Sequence, residues 1–289
     1  MPLLWKHKRG AFDLTHRGLI MGILNVTPDS FSDGGRFFSP QTAVEHALEL
    51  VTQGADIIDI GGESTRPGAE SVGEAEERRR VIPVIRALRE HSDVPISIDT
   101  FKATVAHEAV QAGADIINDV TALRGDPAMP AVARDSGAGI VLMHMQGEPR
   151  TMQSAPHYDD VVAEVAEFLA RRQAEIQALG VPEEFLAIDP GIGFGKTPDH
   201  NLALIRATTT FARSGRPVLI GVSRKSFLAS LAAAPALEER LWPAVALTSF
   251  CRDQGARIFR VHDPRPHHDA LRMTEAILGN AQTLLQRIR

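Results

Sequence analysis

The sequence predicts an α/β protein in which a single (β/α)₈ barrel, or TIM barrel, forms the whole chain. Three observations predict this fold: eight short apolar runs rich in β-branched residues, helical patterns of about 10 to 20 residues between them, and a repeated motif at several helix-to-strand junctions. Apolar strands that alternate with helices indicate a parallel sheet covered on both faces. Eight such units are typical of a barrel. An open, doubly wound sheet is the alternative fold, because it is built from the same units.

The repeated motif is Gly-Ala-Asp-Ile-Ile, which begins at Gly54 and returns at Gly113. Looser copies begin at Gly137 and Gly255. Each copy follows an amphipathic stretch and opens an apolar run, so each predicts a helix that ends at a glycine and leads into a buried strand. The first of these helices is expected to begin at Pro40, since proline suits the first turn of a helix.

The eight apolar runs are the predicted strands. In chain order they are residues 19–24, 57–60, 96–98, 116–117, 140–143, 185–188, 218–222 and 258–261. Residues 1–11 are expected to be a short lead-in, and the last ten residues the end of the final helix. Barrels near this length form one domain, and no linker rich in proline or serine divides the chain. One domain of residues 1–289, with its core at about 12–279, is therefore expected.

Composition excludes several classes of protein. The 44% hydrophobic and 23% charged residues are ordinary for a globular chain and argue against long disorder or a fibrous protein. A net charge of −5 gives no basic excess for nucleic acid or an anionic membrane. No run of about 18 apolar residues predicts a membrane span. Cys251 is the one cysteine, and no signal-peptide pattern is found, so a cytoplasmic protein without disulfides is expected.

In a barrel of this kind, chemistry gathers at the C-terminal ends of the strands. Each predicted strand ends in residues that can form hydrogen bonds. They are Asn25, Asp59 with Glu63, Asp99, Asn118 with Asp119, His144, Asp189, Ser223 with Arg224 and Lys225, and Arg260 with His262. One such residue is usually a helix cap, whereas eight sets together predict a ring of ligand-binding groups. Polar stretches after the first two strands, at residues 27–39 and 62–76, are long enough to predict functional loops.

The ring divides by charge. Asp99, Asn118 and Asp189 form an acceptor set that suits a flat heterocycle rich in N–H donors. A cationic set in an acidic protein indicates a phosphate or pyrophosphate ligand. That set comprises Arg66, Lys225, Arg260 and His262. Asn25 and Asp33 offer oxygen ligands of the kind that Mg²⁺ takes together with substrate phosphates.

Simpler structural interpretations stay open for single residues. Asp99 as the cap of a helix beginning near Thr100, and Asn118 with Asp119 as a turn, are alternatives to ligand binding. Lys225 as a solvated helix start and His262 bonded only to the backbone are further alternatives. We expect a structural role for His144, a solvated loop for His267 and His268, a core thiol for Cys251 and an exposed helix face for residues 74–80.

Seven segments resemble the signature motifs of the dihydropteroate synthase family. The longest reads Met21-Gly-Ile-Leu-Asn-Val-Thr-Pro-Asp-Ser-Phe-Ser-Asp-Gly-Gly35, and the second reads Asp59-Ile-Gly-Gly-Glu-Ser-Thr-Arg-Pro-Gly68. The others are residues 97–100, 117–120, 189–196, 221–226 and 260–263. They occur in the family's order and together are highly specific. The resemblance implies a barrel enzyme, usually dimeric and a sulfonamide target, that joins 6-hydroxymethyl-7,8-dihydropterin pyrophosphate to 4-aminobenzoate in folate biosynthesis.

The resemblance also implies roles for individual residues. Asp99, Asn118, Asp189 and Lys225 would hold the pterin, and Asp99, Asp189 and Lys225 are the expected catalytic residues. The expected pyrophosphate ligands are Arg66, Arg260 and His262. The residues expected around 4-aminobenzoate are Phe31, Thr65, Pro67 and Ser226. Asn25 would help to bind Mg²⁺, with Asp33 as a further candidate.

The chemistry implied by the family needs no protein nucleophile, because pyrophosphate leaves readily once its charge is neutralised. This agrees with the sequence, which carries no nucleophile-elbow or zinc-protease motif. We expect a dissociative path, favoured by hydrogen bonds that Asp99 and Asp189 accept from the ring. Two alternatives remain: a pterin-binding module that serves a corrinoid partner, and a non-catalytic paralogue. The first has no need of the cationic set, and neither would release pyrophosphate.

Overall fold

The computed structural model describes residues 2–27, 40–63, 71–148 and 151–280. The chain begins with an antiparallel hairpin of strands β1 (Leu4–His7) and β2 (Gly10–Asp13). Eight parallel strands follow. They are β3 (Leu19–Asn25), β4 (Ile57–Gly61), β5 (Ile96–Asp99), β6 (Ile116–Asp119), β7 (Gly139–Met143), β8 (Leu186–Asp189), β9 (Leu219–Ile220) and β10 (Ile258–Val261).

The eight strands form a barrel. Each strand from β3 to β7 pairs with the next one in the chain, while β10 pairs with both β3 and β9. A parallel bridge between Ile188 and Val218 joins β8 to the residue before β9 and completes the ring. The structure therefore confirms the predicted (β/α)₈ barrel and excludes the open sheet.

Helices surround the barrel between successive strands. They are α1 (Pro40–Thr52), α2 (Glu74–His91), α3 (Ala103–Ala112), α4 (Met129–Ser136), α5 (Val161–Ala178), α6 (Pro198–Arg206), α7 (Thr208–Ala212), α8 (Ser226–Leu231), α9 (Leu241–Asp253) and α10 (Pro264–Glu275). A single π-helical turn follows at Ala276–Asn280. In the described part of the chain, no helix is long and apolar enough to cross a membrane.

The repeated glycines adopt the backbone conformation that the prediction requires. The φ angles are 101° at Gly54, 123° at Gly113, 66° at Gly137 and 106° at Gly255. A positive φ ends a helix and turns the chain back to the sheet, and glycine adopts it without a Cβ clash. The predicted helix closures and the start of α1 at Pro40 are both confirmed.

The first residues of the chain are not a simple lead-in. Trp5 and Phe12 come from the two strands of the hairpin. They are buried with the side chains that fill the lower end of the barrel, which is the end where the parallel strands begin. Trp5 also donates a hydrogen bond from Nε1 to the carbonyl oxygen of Phe185, at 3.0 Å. The hairpin therefore closes the barrel at the end opposite to the C-terminal ends of the strands.

One further expectation for local structure is wrong, and another is confirmed only in part. His267 and His268 lie in helix α10, not in a solvated loop, and His267 is fully buried with a hydrogen bond to Thr248. Residues 74–80 begin helix α2 as expected, but Glu77 is only 1% exposed and contacts Lys102. Cys251 is fully buried, as expected for a core thiol.

Strand register sorts the barrel interior into an apolar part and a polar part. Apolar side chains such as Met21, Ile57 and Ile116 fill the lower interior. Nearer the C-terminal ends, Asp59 lies beside Ser97, and Asp99 pairs with Asn118. Because side chains two apart on a strand point to the same face, this register brings acids and an amide to one end of the barrel.

Candidate active site

A cavity of about 590 Å³ opens at the C-terminal ends of the strands. Every barrel strand, or the loop directly after it, contributes to its lining. The cavity is lined by the described residues that the sequence assigned to ligand binding. These are Asn25, Asp99, Asn118, Asp189, Lys225, Ser226, Arg260 and His262. Phe31, Asp33, Thr65, Arg66 and Pro67 lie outside the described residues.

A chain of buried polar groups crosses the floor of the cavity. Asp59 in β4 is fully buried and accepts a hydrogen bond from Nε of Arg260 at 2.6 Å. Nη2 of the same guanidinium donates to Asp99 at 2.6 Å. Asp59 also accepts from Nδ2 of Asn118, at 3.2 Å and 3.4 Å to its two oxygens. Arg260 is therefore held between two carboxylates, and Asp59 joins it to the amide.

Burial raises the pKa of both acids in the acceptor set. The pKa of Asp99 rises to about 7, chiefly because its carboxylate is desolvated; Arg260 opposes this rise, and the charge of Asp59 adds to it. Burial likewise raises the pKa of Asp189 to about 6, while the N–H of Gly191 at 2.6 Å and the charge of Lys225 oppose the rise. Buried acids that titrate near neutral pH in a cavity are typical of functional sites.

The loop between β8 and α6 fits tightly against the segment after β7. Gly191 has a φ of 69°, and a Cβ atom there would lie 1.8 Å from the carbonyl oxygen of His144. The loop brings Phe194 to the cavity wall, where its ring centroid lies 3.8 Å from the ammonium nitrogen of Lys225. This cation–π contact holds the Lys225 ammonium beside the cavity.

Lys196, which belongs to this loop, and His144, which follows β7, hold the loop in place through hydrogen bonds. Lys196 is 2% exposed, and its ammonium lies 3.0 Å from Nδ1 of His144 and 2.9 Å from the carbonyl oxygen of Phe194. Burial lowers the pKa of Lys196 to about 7, and burial together with Lys196 lowers the pKa of His144 to about 3. A neutral imidazole can accept from the ammonium, so His144 has a structural contact here.

The loop after β9 has a strained backbone, an ion pair and further hydrogen bonds. Arg224 has a φ of 60°, and its guanidinium lies 3.2 Å from both oxygens of Asp263. Arg240 donates to the carbonyl oxygen of Arg224 at 3.2 Å. His262 lies 3.0 Å, through Nδ1, from the hydroxyl of Ser223, so the interpretation of His262 as bonded only to the backbone is wrong.

The structure also decides two other structural interpretations. Asp99 does not cap a helix, because α3 begins at Ala103 and the N–H of that residue donates to Asp126 at 2.9 Å. Asp119 does form a turn, since its oxygens accept from the backbone N–H groups of Thr121 and Leu123. Asn118, in contrast, faces the cavity and Asp59.

A buried ionic cluster borders the cavity at the end of β4. Glu63 lines the cavity, and Lys102 donates to both Glu63 and Glu77. Glu63 also accepts from the backbone N–H of Val72 at 3.3 Å, and thereby joins two points that lie nine residues apart in the chain. Two carboxylates that share one ammonium fix the start of α2 and α3 relative to the site.

Some residues that line the cavity carry no strand-end signal in the sequence. They are Met152, Gln153, Phe194, Leu237 and Arg240. They come from loops or from short turns beyond the strand ends, so only the three-dimensional path of those loops reveals them. Gln153 is fixed by a hydrogen bond of 2.6 Å from its amide nitrogen to the carbonyl oxygen of Gly193.

The donor set at the cavity suits a divalent cation that arrives with its ligand. Among the described residues, no cluster of three His, Cys, Asp or Glu side chains could enclose a metal ion. Asn25, at the end of β3, supplies an amide oxygen to the cavity wall. Mg²⁺ commonly takes only one or two protein oxygens and fills its other positions with water and phosphate oxygens, so this residue fits such an ion.

Comparisons with known proteins agree with this site. Residues 21–262 match the family described as pterin binding enzyme. Dihydropteroate synthase from Synechocystis sp. is 46% identical over 266 residues, which are 92% of this chain and 92% of that protein. A structure of Xanthomonas albilineans dihydropteroate synthase with 4-aminobenzoic acid is 46% identical with a TM-score of 0.87, and the match covers 93% of this chain and 95% of that one. A Yersinia pestis dihydropteroate synthase in complex with a sulfonamide drug is 41% identical with a TM-score of 0.90, over 96% of this chain and 99% of that one.

Proposed function

This chain belongs to the pterin-binding enzymes and, within them, to the dihydropteroate synthases, and from this membership we propose how its own residues carry out the reaction. The enzyme is a transferase of folate biosynthesis. It joins 6-hydroxymethyl-7,8-dihydropterin pyrophosphate to 4-aminobenzoate and forms 7,8-dihydropteroate and pyrophosphate. The observation that carries the residue assignments is the single cavity in which buried acceptors and a group of cations meet.

Asp99, Asn118, Asp189 and Lys225 hold the pterin in this proposal. The two carboxylates and the amide accept from the amino and N–H groups along one edge of the heterocycle. The ammonium of Lys225, held against Phe194, donates to acceptor atoms of the ring. A flat ring in the cavity also meets apolar wall residues such as Met143 and Val120.

The pyrophosphate is bound by Arg260 and His262, together with Arg66. The guanidinium of Arg260 is held in place by Asp59 and Asp99 through Nε and Nη2, and it has further N–H groups that phosphate oxygens can accept from. Asn25 would hold Mg²⁺ at this end of the site, with Asp33 as a further candidate ligand. The ion, when bound, supplies positive charge that neutralises the diphosphate.

4-Aminobenzoate lies against Ser226, at the start of α8, and against Phe31, Thr65 and Pro67. Ser226 lines the cavity beside Lys225, so the amine that attacks and the methylene that is attacked share one space. This arrangement replaces a collision of two free molecules by a reaction between neighbours, which is a large source of rate enhancement.

The bond between the methylene carbon and the pyrophosphate oxygen breaks first in the proposed path. The electron-rich ring then carries positive charge, and the hydrogen bonds accepted by Asp99 and Asp189 strengthen as that charge develops. Groups placed in advance for such a charge are each worth about 3–4 kcal/mol of barrier. The amine of 4-aminobenzoate then forms a bond to the methylene and loses a proton to water or to the released pyrophosphate. No covalent bond to the protein forms on this path.

The experiment that tests the proposed function is a pyrophosphate-release assay. With the pterin pyrophosphate and Mg²⁺, release should depend on added 4-aminobenzoate and should match the amount of dihydropteroate formed. Binding of the pterin without any release would instead indicate a pterin-binding module. Neither binding nor release would indicate a non-catalytic paralogue.

The chain is proposed to act in the cytoplasm as a homodimer. Exposed apolar side chains lie on the adjacent helices α9 and α10 and the turn after them. They are Trp242, Phe250, Met273 and Ile277. Clustered apolar side chains of this size on a globular protein usually mark a contact surface, and two-fold homodimers are the commonest assembly. The single cysteine, Cys251, is a buried thiol, which agrees with a reducing compartment.

A further inference from the structure

Asp59 is a fully buried acid that the proposed reaction does not use. It lies in strand β4, below the cavity, and the cavity wall does not include it. Its carboxylate nevertheless contacts two groups that do line the cavity, the guanidinium of Arg260 and the amide of Asn118. In the proposed reaction the first of these binds pyrophosphate and the second binds the pterin.

The contact with Asn118 determines which way its amide faces. The NH₂ group lies 3.2 Å and 3.4 Å from the two oxygens of Asp59. The reversed orientation would set the amide oxygen against a carboxylate, where two acceptors repel each other. Asp59 therefore leaves the amide oxygen as the atom that a ligand meets, and this is the acceptor that a ring N–H requires.

The contact with Arg260 fixes the plane of its guanidinium. Nε donates to Asp59 and Nη2 donates to Asp99, each at 2.6 Å. Charge-assisted bonds from two carboxylates to different nitrogens of one planar group restrain its rotation. The orientation in which Arg260 meets a diphosphate is therefore set before the ligand arrives.

We propose that Asp59 is a positioning residue that orients Asn118 toward the pterin and Arg260 toward the pyrophosphate, and so couples the two halves of the substrate site. The proposal rests on the proposed function for the identity of the two ligands. A shared carboxylate gives the coupling a physical basis, because a ligand that further restrains one of its partners also restrains the carboxylate that holds the other. Coupling of this kind is reciprocal, so each ligand should tighten the binding of the other by the same factor.

The test measures binding of 6-hydroxymethyl-7,8-dihydropterin by calorimetry, with and without pyrophosphate and Mg²⁺. In the wild type, pyrophosphate should tighten pterin binding by about fivefold or more. Asp59→Asn places an NH₂ donor against the donors of Asn118 or Arg260. We expect pterin binding to weaken by about tenfold or more and the effect of pyrophosphate to disappear.

Asp115→Asn is the matched control. Asp115 is also fully buried and also binds arginines, with Arg9 at 2.7 Å and Arg89 at 2.8 Å, but it does not line the cavity or contact its lining residues in the described structure. This variant should lose stability and keep the wild-type pterin affinity and coupling. Equal effects of the two substitutions on ligand binding would reduce Asp59 to a buried structural ion pair and overturn the proposal.

The double variant Asp59→Asn with Asn118→Asp exchanges the carboxylate and the amide. In this variant the amide at position 59 can donate from its NH₂ group to the carboxylate at position 118. The oxygen of the same amide accepts from Arg260. Pterin affinity should return to within about threefold of the wild type, a rescue that general stabilisation would not give. A folded double variant as weak as Asp59→Asn alone would contradict the orientation argument. A wild type that binds both ligands cooperatively but releases no pyrophosphate would contradict the proposed function and leave the role of Asp59 intact.

Discussion

Asp99 and Asp189 are carboxylates that line the cavity, and burying an ionised carboxylate there costs free energy. Replacing either by Ala removes an acceptor and reduces the counter-charge of a neighbouring cation: Arg260 would keep Asp59 but lose Asp99, and Lys225 would lose the nearby charge of Asp189. We expect turnover or pterin binding to fall about a hundredfold or more in each variant, as for loss of a preorganised polar group. Steady-state kinetics and pterin titration check this. Asp93→Ala, which removes an exposed carboxylate, is the control, and near wild-type activity in both cavity variants would contradict the acceptor role.

The raised pKa values predict how activity depends on pH. An ionised carboxylate accepts from ring N–H groups, and a protonated one competes as a donor. With pKa values raised by burial to about 7 for Asp99 and about 6 for Asp189, kcat/KM should rise with pH through this range and level off about one unit above the higher pKa. The measurement is a pH profile between pH 5 and 9. A profile that is flat from pH 5 to 8 would show that neither acid titrates in the free enzyme.

Single residues at strand ends could be predicted from the sequence, because a barrel brings all its strand ends to one rim. Asp99, Asn118, Asp189 and Arg260 are of this kind, and all line the cavity. Arg240 and Gln153 could not be predicted, because they lie well beyond the end of the preceding strand. The dual contact of Asp59 was also beyond prediction, since it depends on distances between three different strands.

At the scale of elements, the loop between β8 and α6 has little freedom to change, because its glycines lie close to the segment after β7. Gly191→Ala places a Cβ 1.8 Å from a carbonyl oxygen, so the loop must move away from the segment after β7. Pterin binding should weaken by more than tenfold, since Phe194 moves with the loop and its contact with Lys225 is lost.

Gly215→Ala controls for the backbone strain in that prediction. Gly215 also has a positive φ, of 76°, but a Cβ there would have nothing within 4 Å. It should cost only the strain of a left-handed alanine, about 1–2 kcal/mol, and leave pterin affinity unchanged. Titration of both variants with the dihydropterin compares them, and equal affinities would contradict the close-packing argument.

The N-terminal hairpin is an element whose role is stability. Trp5 is fully buried at the lower end of the barrel, so Trp5→Ala should reduce the free energy of unfolding by about 3–5 kcal/mol while kcat stays unchanged. Urea unfolding measures this, and one transition is expected because we propose that the chain is one domain. Leu179→Ala, at a half-exposed position, should cost less than about 1 kcal/mol. A large loss of kcat in Trp5→Ala would connect the hairpin to the site.

The eight barrel strands were predictable because each is a short, mostly apolar run, and four of them follow a repeated glycine that closes a helix. The hairpin was not, because its strands have four residues each and bury few side chains, too few to show an alternating pattern. The position of His267 was missed for a related reason. A pair of histidines beside two prolines is typical of a polar loop. Only the packing of α10 against α9 shows that His267 forms a hydrogen bond with Thr248.

At the scale of the whole molecule, the dimer proposal concerns the apolar surface of α9 and α10. Trp242 is 68% exposed on this surface, and replacing it by arginine puts a charge where a partner would bury it. We expect the wild type to have twice the chain mass in solution and Trp242→Arg to have the mass of one chain, by light scattering after gel filtration. A wild type with the mass of one chain at micromolar concentration would exclude the homodimer.

The molecule as a whole is acidic, with a net charge of −5, yet its cavity contains Arg224, Lys225, Arg240 and Arg260. Positive charge is thus concentrated where a diphosphate would bind, with Arg260 paired to Asp59 and Asp99 and Arg224 paired to Asp263. A low-dielectric cleft of this kind focuses the field on an anionic ligand.

The most direct test of this account is a crystal structure of the protein with its pterin pyrophosphate substrate and Mg²⁺. The account predicts that the heterocycle lies within hydrogen-bond distance of Asp99, Asn118 and Asp189, while the diphosphate contacts Arg260 and His262. A heterocycle bound away from these three acceptors, or a diphosphate placed against Asp189, would contradict it.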